Sequence, residues 1–296
     1  MSAPLSYLAV IAIWATTPLA IKLSNDSLSP LTALTLRTGL ALCIAVVIVA
    51  VWRRHSFFKR QHFKGYLLAS ISIFPNMPLV YYATDFIPSG LIAVMFGLSP
   101  FFIGVMAHFV LGEYFFSPRK FLGQVVAVLG LAVVFIDQLA IDYTAGFGIL
   151  LMLCSISIYS YSLVAVKRQA LICSAPAFDQ AVGAMLLSLP GTLLCWYYLD
   201  GSTDIVLSAV SAYSVGYLAI IGSLIGFMAF YHVLNTMSVA MVSIIPMISP
   251  LIALWLGVVF ADENVSLYTV LGSLLILAGL GLYEGVFKPR RLMASA

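Results

Sequence analysis

Apolar stretches close to twenty residues long recur along the whole chain, each closed by a short polar break. The pattern reads as ten helical segments at 5–23, 30–52, 65–84, 88–111, 120–136, 146–166, 177–199, 213–234, 239–260 and 266–287. A hydrocarbon layer about 30 Å thick takes about twenty residues of helix, so each stretch is close to crossing length. A β-barrel would show shorter, alternating segments. A backbone in lipid must also satisfy its own polar groups, so helices are what the pattern predicts.

Composition removes the soluble alternative. Of 296 residues, 62% are hydrophobic and 8% charged, where a soluble domain carries about a quarter charged residues. A water-facing surface cannot be built from that supply, so the expected fold is an all-α, multi-pass membrane protein. The few charges then orient it. Arg53, Arg54, Lys59, Arg60 and Lys64 follow the second segment, Arg119 and Lys120 the fourth, Lys167 and Arg168 the sixth, and Lys288, Arg290 and Arg291 the tenth. All the basic residues except Lys22 and Arg37 thus fall on one side. The positive-inside rule makes that side cytoplasmic, with both termini on it, in a cell inner membrane. The opposite connections hold Asp26, Asp85, Asp137, Asp142, Asp200, Asp204, Asp262 and Glu263.

The net charge of +3 is therefore a topology signal, and nucleic acid is not an expected partner. Residues 1–6 lack a basic n-region, so the first segment is expected to stay as a helix and not to be cleaved. Cys43, Cys154, Cys173 and Cys195 are too scattered for a zinc site or a redox pair, and no metal or cofactor is expected.

An internal repeat organises the segments. Leu98-Ser99-Pro100-Phe101 leading to Gly112-Glu113 answers Ile248-Ser249-Pro250-Leu251 leading to Asp262-Glu263, and Gly123 and Gly130 answer Gly272 and Gly279. Upstream, Trp14, Lys22 and Pro30 correspond to Tyr159, Lys167 and Pro176. The chain reads as a duplicated five-helix unit, 5–137 and 146–287. Five crossings are odd, so the second copy enters the bilayer from the opposite side. The result is an inverted-topology repeat, an architecture associated with alternating access.

Trp14, Pro18 and Lys22, then Pro30 and Arg37, then Ser99-Pro100 through Gly112-Glu113 to Ser117-Pro118-Arg119 resemble the first EamA-type repeat of the drug/metabolite transporter superfamily. Ser249-Pro250, Asp262-Glu263, Gly272 and Gly279 resemble its second repeat. The resemblance covers nearly the whole chain, and the order, spacing and doubling of the motifs make it specific. Two positions depart from it: Asp262 stands where Gly is usual, and Gly183 occupies the place of Arg37. It implies that segments 1–4 and 6–9 surround a central cavity with 5 and 10 at the periphery. It also implies a kinship with exporters of amino acids and related metabolites.

The residues themselves offer several candidate sites. Arg37 lies seven positions after Pro30, about 10 Å along its helix from the outer end. A charge at that depth needs a cavity or a partner. Its planar five-donor fork suits a carboxylate or another anion; the alternative is an arginine reaching the interface or loop carbonyls. Trp14, Pro18 and Lys22 share one helix face. Trp14 can stack on a ligand and Pro18 frees a carbonyl, which suits a cavity wall, against helix packing for Trp14 and interfacial anchoring for Lys22.

Pro75-Asn76-Met77-Pro78 interrupts the third segment in mid-span, and Tyr82 lies on its stripe, which makes Asn76 and Tyr82 candidate substrate contacts. Ser155, Tyr159 and Ser162 form a polar stripe that either walls the cavity or joins helices. Pro18, Pro100, Pro246 and Pro250 are candidate kinks or hinges. His108 and His232 fall within segments; His232 is the candidate for proton coupling, the alternative being a packed histidine. Ser117 before Pro118 reads as a helix N-cap. Glu113 and Glu263 read as ties for their connections, and Gly222/Gly226 and Gly281/Gly285 have the spacing of close helix contacts.

No Asp or Glu lies at mid-span, which argues against a drug-cation antiporter built on a buried carboxylate. The expected function is export of small polar metabolites, amino acids or derivatives, by alternating access through a central cavity. The expected partners are a small-molecule substrate and membrane lipid, with the protein a monomer or homodimer. The rival class is an intramembrane enzyme. Neither H-E-x-x-H nor G-x-S-x-G occurs, and no catalytic residue is assigned. A non-transporting sensor or scaffold would be expected to append a soluble domain.

Overall fold

The computed structural model describes residues 2–51, 59–112, 117–141, 144–201, 206–237, 242, 245–260 and 266–284. Helices are the regular structure among them. α1 (Ala3–Ser24) and α2 (Pro30–Val51) are unbroken. Ser29 starts α2 by accepting the Thr32 amide on its Oγ at 3.1 Å, and Pro30 occupies the first turn, where a missing amide costs nothing.

The third segment is two helices. After a 3-10 turn (Arg60–His62), α3 (Phe63–Ser70) and α4 (Asn76–Ala83) are separated at residues 71–75. Asn76 makes this break tolerable away from water. Its Nδ2 donates to the Ser72 carbonyl at 2.9 Å, and its Oδ1 accepts from Ser155 Oγ at 2.6 Å. Polar groups freed by the break are thereby met inside the protein. The fourth segment also divides, into α5 (Ser89–Phe96) and α6 (Ser99–Leu111). α6 restarts with Pro100 in its first turn and ends on Gly112, whose φ of 71° is the left-handed cap that glycine adopts without strain.

α7 (Pro118–Ile141) begins at Ser117, whose Oγ accepts the Lys120 amide at 3.2 Å, so the N-cap reading holds. α8 (Ala145–Ile172) and α9 (Ala177–Leu199) follow. The next rod changes its winding, from α10 (Ala209–Tyr217) through a π-helical stretch (Leu218–Ile225) into α11 (Gly226–Thr236). α12 (Ile245–Phe260) and α13 (Leu267–Glu284) complete the chain, with Ser266 capping α13 as Ser117 caps α7. The two Ser-Pro motifs thus differ in context: Ser99-Pro100 marks a restart, whereas α12 stays helical through Pro250. Among the described residues six helical rods, Ala3–Ser24, Pro30–Val51, Ser89–Leu111, Ala145–Ile172, Ala177–Leu199 and Ala209–Thr236, are long and apolar enough to cross a bilayer.

α1 is central, packed on α5, α10, α11, α12 and the π stretch. α2 packs on α9 and the π stretch, while α3 and α4 pack on α8. α7 and α13 pair with each other, and glycine makes this possible. A Cβ on Gly123 would lie 2.5 Å from the Gly279 carbonyl oxygen, and one on Gly130 would lie 2.6 Å from that of Gly272. These are the glycines matched by the repeat, and the contact is reciprocal: 123 meets 279 while 130 meets 272.

Hydrogen bonds tie earlier and later parts of the chain together at both ends of the bundle. At the end with the acidic connections, the Ser29 and Thr32 hydroxyls donate to the Asp200 carboxylate, Trp196 Nε1 donates to Thr32 Oγ1 at 2.9 Å, and Ser208 Oγ donates to Asp26 at 2.8 Å. Nearby, burial pushes the Asp85 carboxyl above its ordinary range, and the Asn25 amide offsets part of that. At the opposite end Gln180 Nε2 donates to the Gly65 carbonyl at 2.7 Å, and Cys173 Sγ lies 3.3 Å from His62 Nδ1.

Candidate functional site

The break after α3, the restart at α6 and the π stretch all border one cavity of about 100 Å³. Its walls come from α1 (Trp14, Pro18), α2 (Arg37), α4 and α5 on one side, and from α8 (Tyr159), the π stretch (Gly222), α11 (Phe227, Phe230) and α12 (Ser249) on the other. Irregular backbone is affordable here because it is enclosed by protein. π stretches recur at functional sites, and this one carries Gly222 to the cavity and Ser223 to Arg37.

Aromatic rings make one wall. The Trp14 and Phe230 centroids are 5.0 Å apart, and Tyr159 meets Trp14 at 6.1 Å and Phe96 at 6.1 Å, both edge to face. Such pairs fix each ring by its neighbour, so four helices contribute to one packed apolar surface.

Arg37 is the charged residue among the described lining residues, and it is 3% exposed. Its Nε donates to Ser223 Oγ at 2.7 Å, and Nη1 makes a longer contact, 3.4 Å, with the Tyr81 hydroxyl. Nη2 is without a hydrogen-bond partner among the described residues and lies beside Gly222, where an added Cβ would come within 3.3 Å of it. The fixed partners are neutral hydroxyls. Among the described residues no carboxylate bonds or lines the site beside the guanidinium.

Of the residues singled out from sequence, Trp14, Arg37, Tyr159 and Pro18 line the cavity. Asn76 and Ser155 bond each other outside the lining, and Ser162 donates to the Leu68 carbonyl at 2.7 Å, so these three join helices. Tyr82 is not brought to the cavity; its electrostatic neighbours are Cys195, Asp200 and Asp85, and it is Tyr81 that reaches Arg37. Pro100 is buried at the start of α6, and Pro246 and Pro250 lie in α12. His232 is half-buried on α11 and outside the lining, and His108 packs against Phe109 at 5.3 Å. Gly226 meets Ile13 of α1 as its spacing suggested, whereas Gly222 meets Arg37. Glu113, Glu263, Gly285 and the basic tail lie outside the described residues. Tyr81, Ser223, Phe96, Phe227 and Phe230 were not picked out in advance.

The division between Tyr159 and Tyr82 is directly measurable. Tyr159→Ala removes a ring from the packed wall and should weaken ligand binding by about tenfold, the order of an aromatic contact together with its area. Tyr82→Ala should leave binding within about twofold. Comparing the two on purified protein of equal fold checks the placement of the wall, and equal losses would contradict it.

A family model described as the EamA-like transporter family matches residues 1–136 and 146–283. "Uncharacterized transporter YoaV" of Bacillus subtilis (strain 168) is 26% identical over 296 residues, covering 97% of this chain and 98% of that protein. An Escherichia coli (strain K12) protein named "Probable amino-acid metabolite efflux pump" is 24% identical over 290 residues, covering 96% and 94%. A solved structure, described as a crystal structure of a protein, shares the fold with a TM-score of 0.71 at 20% identity, over 98% of this chain and 99% of that one.

Proposed function

This chain belongs to the EamA-like transporter family, and from that membership we propose that it exports small carboxylate-bearing metabolites, amino acids or their derivatives, by opening the cavity beside Arg37 to each side of an inner membrane in turn. The family and the transporter-named relatives make it a multi-pass membrane transport protein with a small-molecule substrate. The finer reading is carried by one observation: a buried guanidinium lines the cavity, and among the described residues its Nη2 has no hydrogen-bond partner and no carboxylate stands in the lining. An arriving carboxylate would supply the missing charge and accept from the free donors. The name of the Escherichia coli relative, which refers to an amino-acid metabolite, agrees with that class.

In this proposal two five-helix units, 5–137 and 146–287, cross the bilayer in opposite senses as ten spans. The reciprocal glycine contact between α7 and α13 supports it. Two units related by a two-fold axis meet isologously, so that if residue i touches j, then j touches i. A cavity walled from both units supports it as well.

The orientation puts both termini and Lys59 in the cytoplasm. In a cysteine-free background, Lys59→Cys should react with a permeant maleimide and stay unlabelled by an impermeant one in intact cells. Labelling from outside would overturn the orientation. The substrate class is tested by growth: overexpression should raise tolerance to members of a panel of toxic amino acids and their deaminated and other carboxylate-bearing analogues, and Arg37→Gln should abolish the gain. Unchanged tolerance across such a panel would remove that class.

A further inference from the structure

Resting on the reading of this cavity as a carboxylate site, we infer that its preferred substrates lack a free ammonium: short apolar monocarboxylates of the class of deaminated amino acids, such as branched 2-oxo acids. The argument begins with charge. The described lining carries one cation and no acid, and the sequence at 238–250 contains no Asp or Glu. One bound carboxylate therefore brings the site to neutrality. The ammonium of a free amino acid would be a second cation in the same low-dielectric space, repelled by Arg37 and, with the amino acid's own carboxylate engaged by Arg37, met by no acid of the described lining.

Neutral groups in the wall supply lone pairs but no negative charge: the hydroxyls that donate to helix carbonyls can still accept from an ammonium, yet they do not offset a second cation beside Arg37. Thr17 Oγ1 donates to the Ile13 carbonyl at 2.6 Å, Ser72 Oγ to the Ala69 carbonyl at 2.7 Å, and Ser249 Oγ to the Ile245 carbonyl at 3.1 Å. The aromatic rings are packed on one another, Trp14 with Phe230 at 5.0 Å and Trp14 with Tyr159 at 6.1 Å. They form a closed apolar wall and not a cage spread around a cation.

The tail follows from the lining and the volume. Ile21, Met77, Val80, Ile92 and Phe227 are among the apolar side chains of the lining, and the cavity measures about 100 Å³. A dry cavity of about 150 Å³ accommodates benzene, so this smaller, largely apolar space favours a short apolar tail.

The test uses the full chain reconstituted in lipid at neutral pH with four ligands of one size: 2-oxoisovalerate, isovalerate, valine and valinamide. The two acids should bind at least about tenfold more tightly than valine, the expected order for burying an uncompensated charge, and valinamide should bind weakest. Arg37→Gln, with Arg37→Lys as a second variant and a thermal melt as the control for folding, should lose the binding of both acids. If valine binds as tightly as 2-oxoisovalerate and both lose affinity in Arg37→Gln, the ammonium inference is overturned while the carboxylate reading stands. If folded Arg37→Gln binds all four as the wild type does, the carboxylate reading falls and this inference with it. Failure of both acids to bind the wild type overturns the inference outright.

Discussion

Arg37→Gln is expected to weaken binding of a carboxylate substrate by about 10- to 100-fold, since hydrogen bonds to a charged group are worth about 1.5–3 kcal/mol. Glutamine can still reach toward Ser223, but it removes the charge and the donor that faces Gly222. Arg37→Lys keeps the charge and loses the planar fork, so its affinity should fall between the two. Stability should move differently. In the substrate-free protein the guanidinium is desolvated beside hydroxyls, with no described carboxylate to compensate it, so Arg37→Gln should melt no lower than the wild type. A structural arginine would give the opposite pattern, lower stability with binding per folded molecule unchanged. The measurement is the affinity ratio between a carboxylate ligand and its amide in wild type and variant, alongside thermal melts in lipid. An unchanged ratio in a folded variant would return Arg37 to a structural role.

Gly123→Ala is expected to lower stability by about 1–3 kcal/mol, the range for overpacking a tight contact, and Gly123→Leu by more. The added Cβ would stand 2.5 Å from the Gly279 carbonyl oxygen and 2.8 Å from the Tyr283 amide nitrogen. These are backbone atoms that cannot turn aside, so α7 and α13 would have to separate and lose contact along their length. Gly272→Ala meets the reciprocal obstacle, with the Gly130 carbonyl oxygen at 2.7 Å. No described residue of either helix lines the cavity, so ligand affinity measured well below the melting transition should be unaffected. An unaltered melt would mean that the two helices do not meet in this way. Lost affinity in a folded variant would couple the edge of the bundle to its centre.

Much of this was legible in one dimension because lipid imposes a simple rule on the chain. Helix α9, Ala177–Leu199, coincides with its apolar stretch, and α1 and α2 differ from theirs by one or two residues. Ser117 could be read as a cap because capping depends on neighbours along the chain. Pro75 and Pro78 announced the interruption of the third segment for the same reason.

What could not be read is the rotation of each helix about its axis once the periodicity is interrupted. Consecutive residues of a helix are about 100° apart, so the uncertain turn at residues 71–75 is enough to exchange Tyr82 for Tyr81 as the neighbour of Arg37. The π stretch has the same effect on Phe227, Phe230 and Ser223, whose phase cannot be extrapolated from α10. The glycines at 123, 130, 272 and 279 could be matched as repeats, but matching does not say that they touch. Hydrophobicity and charge are properties of local stretches, and they suffice to choose the solvent, the helices and the expected orientation. The cavity is assembled from one or a few side chains on each of several helices, and their directions are set by the packing of all those helices against one another.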